Sequence, residues 1–287
     1  MRKAAVIVVA LLAATVGGLA PASAITGNYT PDHQHDYVGL VFFYDDEGNP
    51  SQICSGSLLS PTVFLTAGHC TAGYSSARVY FAQDAGGAFD PELGIDPNTG
   101  FPFTCLPQPD PCVTSSRMFN YGFTGLGPAD TQDVGVVILD EPVKLDTYAS
   151  LAAAGSLDRL ATRRGHQDAT FTVSGYGVSR INPSSTEAYY QRLMATTQLV
   201  NLRSAKTGGY NVQLSSAPGG GRGGTCFGDS GGPVLYGSTD TVVAVSSFVT
   251  RNCRGVNFAY RTDQAAVIAW ILDLAGDEAD QVSIVEI

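Results

Sequence analysis

Seven short runs rich in β-branched and aromatic residues recur along this chain, at residues 37–44, 63–67, 78–82, 134–139, 170–175, 193–200 and 242–249. Gly, Pro, Asn and Asp cluster between them, so each run is closed off by a turn. Only the end carries a firm helical period. There Val267, Ile268, Ile271 and Leu274 share one face, Thr262 is placed to cap and Gly276 to terminate. Many short strands with one terminal helix leave sandwiches or closed barrels as the ways to bury the apolar faces. No internal repeat is present. Residues 84–112 are rich in Gly, Pro and Asp with little periodicity and read as an elaborated surface loop. Asp84, Asp90 and Asp96 are the candidate ligands for a calcium site there, and a solvated loop is the preferred reading.

The first 24 residues read as an export signal. Met1-Arg2-Lys3 is a short basic head, residues 4–16 are apolar or small, and Ala22-Ser23-Ala24 offers a cleavage site. A membrane span needs roughly 20 apolar residues, which this run does not reach. Cleavage after Ala24 leaves 263 of the 287 residues, beginning Ile25-Thr26-Gly27. It also removes Arg2 and Lys3, so 14 basic residues face 26 acidic ones and the net charge is near −12. That balance argues against nucleic acid or anionic membrane as a partner. The expectation is a secreted, monomeric protein without a membrane anchor.

Six cysteines in an exported chain imply three disulfides among 15 formal pairings. Neighbour pairing is the simplest scheme: Cys54 with Cys70, Cys105 with Cys112, Cys226 with Cys253. Their spacing matches no zinc site. The stretch from Asp32 to Asp36, Asp-His-Gln-His-Asp, puts alternate residues on one face. With no further ligands near it in sequence, it reads as an ordinary polar lead-in to a strand.

The chemistry lies in three segments. Residues 225–233, TCFGDSGGP, set Ser230 between an aspartate and two glycines. A hydroxyl attacks a carbonyl only where a base takes its proton and donors hold the oxyanion, and glycines allow the tight turn that gathers such donors. Residues 65–70, LTAGHC, offer His69 as the base, at the end of an apolar run and beside a cysteine that could pin it. Asp133 leads into the run DVGVVIL and could orient an imidazole, with Asp130 and Asp140 as neighbouring alternatives. His33, His35 and His166 have no comparable setting.

At these residues the chain resembles the chymotrypsin/trypsin-like serine proteases, as a secreted, bacterial-type member. The order His69, Asp133, Ser230 is the family's order, and Cys54 and Cys70 bracket the histidine. Weaker likenesses are SGYG at 174–177, with Tyr176 where the family has tryptophan, VSSF at 245–248, and Trp270-Ile271. The resemblance covers essentially the whole chain after residue 24. It implies an all-β fold of two antiparallel six-stranded β-barrels with a C-terminal α-helix, the first barrel over 25–146 and the second, with the helix, over 147–287. It further implies a serine endopeptidase acting on proteins or peptides with no cofactor and no metal. Ser230 would be the nucleophile, His69 the general base and then acid, and Asp133 its orienting partner. The N–H groups of Gly228 and Ser230 would form the oxyanion hole. An esterase, or an inactive binding protein on the same scaffold, are the competing functions.

In that family the residue before the serine, here Asp229, pairs with the α-amino group of the processed chain. Ile25 stands directly at the signal cleavage site, so signal removal itself would create the activating end. The resemblance places the specificity pocket at Gly224, Thr225, Ser247, Phe248, Val249 and Phe258. Gly224 is uncharged, and Val249 and Phe258 would make the pocket shallow. The expected residue before the cleaved bond is therefore small and uncharged, such as Ala or Val. Cys105 and Cys112 add a loop of this chain's own.

Overall fold

A computed structural model describes residues 25–86, 112–127, 129–161, 169–178, 180–182, 185–188, 190–215, 217, 221–250, 252–253 and 255–287. Cys105, His166, Asp90 and Asp96 lie outside them, as does the export signal. The first part of the chain carries β1 (Thr26–Gly27), β2 (Thr30–Pro31), β3 (Val38–Tyr44), β4 (Pro50–Leu58), β5 (Val63–Thr66), the one-turn helix α1 (Gly68–Thr71), β6 (Ser76–Tyr80), β7 (Cys112–Ser115), β8 (Arg117–Asn120) and β9 (Gly135–Ile138). The remainder carries β10 (Ser150–Ala152), β11 (Thr170–Gly175), β12 (Arg180–Asn182), β13 (Ser185–Glu187), β14 (Leu193–Asn201), β15 (Asn211–Ser215), β16 (Gly223–Gly224), β17 (Pro233–Tyr236), β18 (Thr241–Val249), β19 (Val256–Arg261), α2 (Ala265–Ala275) and β20 (Ile284–Val285).

These strands form two β-barrels with a C-terminal helix. In the second barrel the path β17-β11-β14-β15-β19-β18 returns on itself through β17–β18 pairing, which closes a six-stranded ring. The first barrel is nearly closed. Its path is β7-β6-β3-β4-β5-β9-β8, all antiparallel, and seven strands stand where six were expected. The difference is a bend. β7 and β8 occupy the two ends of the path, yet only Ser116 separates them in sequence. One strand thus turns a corner and lends its halves to opposite edges. Ser115 holds the corner, since its Oγ accepts the Arg117 N–H at 2.9 Å and donates to the Ile138 carbonyl at 2.6 Å.

A strand lies at each of the seven β-branched runs, and β11 matches residue for residue, while β4, β7, β8, β10, β15, β17 and β19 form outside those runs. The helix starts differently. Gln264 precedes α2 without a side-chain cap, because Thr262 is buried with its hydroxyl turned to the Val242 carbonyl. Gly276 does end the helix, at φ 54°, a backbone region that favours glycine.

The two ends of the chain cross over. β1 pairs with β16 and β2 with β14, so residues 26–31 belong to the second barrel's side although they precede the first. Conversely, Val267 and Ile271 of α2 join the core cluster that holds β3, β5 and β9. Trp270 meets Tyr121 edge-on at 5.2 Å, and Glu278 accepts hydrogen bonds from Ser60 Oγ and the Thr62 N–H. β20 then returns to lie parallel to β10.

A polar network fills the seam between the barrels, and here the reading of Asp32–Asp36 as a plain polar lead-in fails. Asp32 is fully buried, with oxygens that accept from His35 Nδ1 at 2.8 Å, Ser174 Oγ at 2.6 Å and two backbone N–H groups. Burial alone would raise its pKa. The hydrogen bond and charge of His35, with the Ser174 hydroxyl and the Gln34 amide, outweigh burial and bring it down to about 2. Arg192, 1% exposed, donates to the carbonyls of Asp32, Val38 and Phe81, to Tyr176 Oη, and to Asp36 Oδ1 at 2.7 Å. No local sequence period marks this network, because its members are spread over 160 residues.

Replacing Arg192 by Met would take its donors from the carbonyls of Asp32, Val38 and Phe81, and a buried carbonyl left unpaired costs about 1–3 kcal/mol. Arg192→Met is therefore expected to lower unfolding free energy in urea by at least about 3 kcal/mol. Asp36, whose side chain is 71% exposed, should lose under about 1 kcal/mol as Asp36→Asn. Equal losses would show that the ion pair, not the carbonyl cradle, carries the arginine's contribution.

Candidate active site

Strand register builds the first half of the site. Thr66 of β5 pairs with Gly135 of β9, antiparallel. The residue three past Thr66 and the residue two before Gly135 thus emerge at the same barrel end, and these are His69 and Asp133. Gly135 allows the close approach, since a Cβ there would lie 2.5 Å from the Ala67 carbonyl oxygen. Ala67 is extended and α1 then turns His69 back toward the seam. The Cys54–Cys70 disulfide ties that turn to β4.

Asp133 is fully buried. It accepts the backbone N–H of His69 at 2.8 Å, and His69 Nδ1 lies 2.9 Å from Oδ2 and 3.1 Å from Oδ1. Ser247 Oγ donates to the same Oδ2. An ionised carboxylate only accepts, so Nδ1 carries a proton, and in the neutral ring that tautomer leaves the Nε2 lone pair free. The neighbouring aspartates are engaged elsewhere: Asp130 accepts from Tyr260 Oη at 2.7 Å and Asp140 from Thr114 Oγ1 at 2.7 Å.

The turn at 225–233 supplies the second half. Gly228 (φ 91°) and Gly231 (φ 79°) both adopt backbone that side chains rarely take, and a Cβ on Gly231 would collide with Thr66 Oγ1 and the Ser55 carbonyl. The Phe227 carbonyl accepts the Val178 N–H at 2.6 Å. A planar trans peptide sends its C=O and N–H in opposite directions, so the Gly228 N–H points away from Val178. Among the described hydrogen bonds neither the Gly228 nor the Ser230 N–H donates to any acceptor. Ser55 steadies the turn from the first barrel. Its Oγ donates to the Gly228 carbonyl at 2.9 Å and accepts the Tyr176 N–H at 3.0 Å, while its N–H donates to the Ser230 carbonyl at 2.8 Å.

Asp229 is fully buried behind this turn. It accepts the N–H groups of Cys226 and Gly177, each at 2.8 Å, and that of Ile25. Burial is the largest influence on it and pushes its pKa up to about 7, against the pull of the three amides. Ile25 is fully buried with φ 57°. The structure thus brings the two predicted members of the activation pair together.

His69 and Ser230 open into one cleft of about 580 Å³, shared with Thr225, Ser247, Phe248 and Val249. No hydrogen bond joins Ser230 to His69 among the described residues, and His69 Nε2 lies 3.6 Å from Cys70 Sγ. Gly224 and Phe258 do not line the cleft. Gly224 pairs with Thr26 in β16, and Phe258, 2% exposed, stacks on its cross-strand partner Phe248 at 4.4 Å and 8°. The wall comes instead from Leu126, Val178, Ala188 and Tyr190. These sit on loops whose sequence carries no period, so nothing local could have assigned them. The Cys226–Cys253 disulfide backs that wall, while Cys112 is also disulfide-bonded. The sulfurs of Cys54 and Cys70 lie within 4.8 Å of a His69 nitrogen, but their bond to each other leaves no thiolate to hold a metal.

Residues 24–92 and 116–271 match the family model described as Trypsin. The chain belongs to the trypsin family. A curated relative, CLIP domain-containing serine protease B10 of Anopheles gambiae, is 24% identical over 127 residues, 44% of this chain and 35% of that protein. The chain thus spans about a third of the relative's length. Similar solved structures include HL collagenase, at TM-score 0.60 and 17% identity over 87% of this chain and 97% of that one. The scabies mite inactivated protease paralogue S-I1 follows at TM-score 0.57, 19% identity, 88% and 99%. Human heparin binding protein stands at TM-score 0.56, 18% identity, 88% and 96%. None of these supports a bacterial-type placement, and at such identities the structures speak for the fold alone.

Asp229 predicts a pH dependence while residue 24 remains joined to Ile25. Its folded pKa of about 7 lies above the ordinary 3.8. Between those values the native state holds more protons than the unfolded state, so stability falls as pH rises and levels off above 7. Urea unfolding from pH 4 to 7.5 should show a loss on the order of 4 kcal/mol from this group. Asp229→Asn should abolish that slope, and an unchanged slope would place its origin elsewhere.

Proposed function

We propose that this protein is a secreted, monomeric serine endopeptidase that cleaves protein or peptide substrates. The observation that carries the reading is the pair of buried Asp133 and half-buried His69 opening into the same cleft as Ser230, beside two backbone N–H groups with no acceptor among the described hydrogen bonds. Ser230 Oγ attacks the scissile carbonyl carbon as its proton passes to His69 Nε2. Asp133 holds Nδ1–H and stabilises the imidazolium. The oxyanion is received by the N–H groups of Gly228 and Ser230, with donors already aimed before reaction. The C–N bond breaks as Nε2–H protonates the leaving amine, and water then hydrolyses the acyl-enzyme by the same route. Small uncharged residues before the cleaved bond fit a cleft in which, among the described lining residues, His69 and Tyr190 are the only titratable side chains. A basic head would meet no carboxylate among those residues and would bear a desolvation penalty.

Activation follows from Ile25. Cleavage after Ala24 turns its amide N–H, already at Asp229, into an ammonium. An ammonium there favours the ionised carboxylate and reverses the effect of burial. The carboxylate in turn raises the pKa of the amine above its ordinary value near 8. That stabilisation is present below the unfolded value and lost as pH rises through the folded one. Activity should therefore decline on the alkaline side. Protein beginning at Ile25 should turn over peptides far faster than protein retaining one preceding Met. Equal turnover would remove Ile25 from the mechanism.

Two relatives in fold are named as an inactivated protease paralogue and a heparin binding protein, so a non-catalytic scaffold is the rival reading. Kinetics on a peptide library decide between them. Ser230→Ala or His69→Ala should each lower turnover by several orders of magnitude, and the double variant should be little worse, because the residues act as one unit. Asp133→Asn should lose roughly 10⁴-fold, because an amide in place of the carboxylate holds the imidazole in the wrong tautomer. Absent cleavage by the processed wild-type protein, with no labelling of Ser230 by a fluorophosphonate, would favour the scaffold. Labelling with ester but not peptide hydrolysis would make it an esterase.

A further inference from the structure

Ser246 lines the cleft and is 3% exposed, yet among the described residues its Oγ has no hydrogen-bond partner. Its backbone is fully engaged, with the N–H donating to the Gly232 carbonyl and the carbonyl accepting from Gly231. The hydroxyl is what it has left to offer. Other buried side-chain atoms also lack partners, but among the described residues no other one belongs to a cleft-lining residue. A buried polar atom without a partner is destabilising unless something fills the need.

Thr225 lines the same cleft, 3% exposed, and its hydroxyl is half used. Asn257 Nδ2 donates to Thr225 Oγ1 at 2.6 Å and to its carbonyl at 2.7 Å. Fixing Thr225 as an acceptor leaves its own O–H proton to donate, and no described hydrogen bond uses it. Ser247 is different, because its hydroxyl is spent on Asp133. The cleft therefore holds one hydroxyl with donor and acceptor unspent and a second with a donor unspent. Val249 and the Cys226–Cys253 bridge supply apolar surface close by.

We propose that Ser246 and Thr225 form a hydroxyl-reading subsite that selects threonine or serine as the residue before the scissile bond. The inference rests on the hydrolytic reading of the site and deepens its preference for small uncharged residues. Threonine offers a methyl to the apolar wall and a hydroxyl that both accepts from Thr225 and exchanges hydrogen bonds with Ser246. Valine has the same shape but leaves the Ser246 hydroxyl buried and unpaired. An aspartate would lose its hydration against neutral donors, with no Lys or Arg among the described lining residues.

The test separates binding from turnover. Peptides of one sequence ending in Thr, Val or Asp are titrated calorimetrically into the processed Ser230→Ala protein, and the matched amides are offered to the wild type. The Thr peptide is expected to bind about 10-fold tighter than Val, one good hydrogen bond being worth roughly that factor. The ratio should fall toward one in Ser246→Ala, with Val affinity held, and should also fall in Thr225→Val, which removes only the neighbouring hydroxyl. Val binding as well as Thr, Asp binding tightest, a ratio that survives either substitution, or no binding by any peptide would overturn the proposal. Thr-selective binding without turnover by the wild type would uphold the subsite and overturn the hydrolytic reading.

Discussion

A carboxyl group buried from the surface organises the centre of this molecule. Asp229 gathers N–H groups from Ile25, Gly177 and Cys226, three segments about 200 residues apart at their widest. Each of those segments has a second duty. Ile25 leads into β1, Gly177 follows the tyrosine that spans the barrel seam, and Cys226 is tied to Cys253. The loop that carries Ser230 is thus fixed from three directions by a single buried side chain. Its geometry depends on whether that side chain is charged. A carboxylate favours donors around it, whereas a carboxylic acid offers a proton of its own and competes with them.

The seam between the barrels works by another principle. Arg192 has no carboxylate partner in the interior, and most of its donors go to backbone carbonyls that strand geometry leaves over where the barrels meet. A planar fork of five N–H groups suits several scattered acceptors better than any other side chain. Tyr176 reaches the same seam through its hydroxyl, and its backbone N–H meets Ser55, which in turn bonds the Ser230 turn. Packing of the two halves and aim of the candidate nucleophile are consequently one continuous hydrogen-bonded structure.

How much of this is readable without coordinates depends on how local the signal is. The β11 bounds, the Gly276 stop and the His69 and Ser230 segments are written in consecutive residues, and sequence assigns them well. Asp133 could be favoured over Asp130 and Asp140 only by resemblance, and the β5–β9 register supplies the physical reason. β4 carries no such signal, because its residues, PSQICSGSL, are mostly small or polar. The bend at Ser116 is invisible for a similar reason, since both halves look like ordinary short strands. The place of Phe258 is illegible for another reason, since its burial against Phe248 is a cross-strand contact past the bulge between Ser246 and Phe248. Asp32 and Arg192 are ordinary charged residues until folding brings them together.

The exchange of chain ends between the barrels has a consequence for how the molecule is made. Synthesis runs from the N-terminus, and domains tend to fold as they emerge. Residues 26–31 appear first, yet β14 and β16, their partners, lie more than 160 residues downstream. The first barrel likewise waits for α2, nearly the last element, to cover Val267 and Ile271 against its core. Neither barrel is complete until almost the entire chain has been produced. Each half holds the other's missing piece, so the site between them cannot be assembled early on a growing chain.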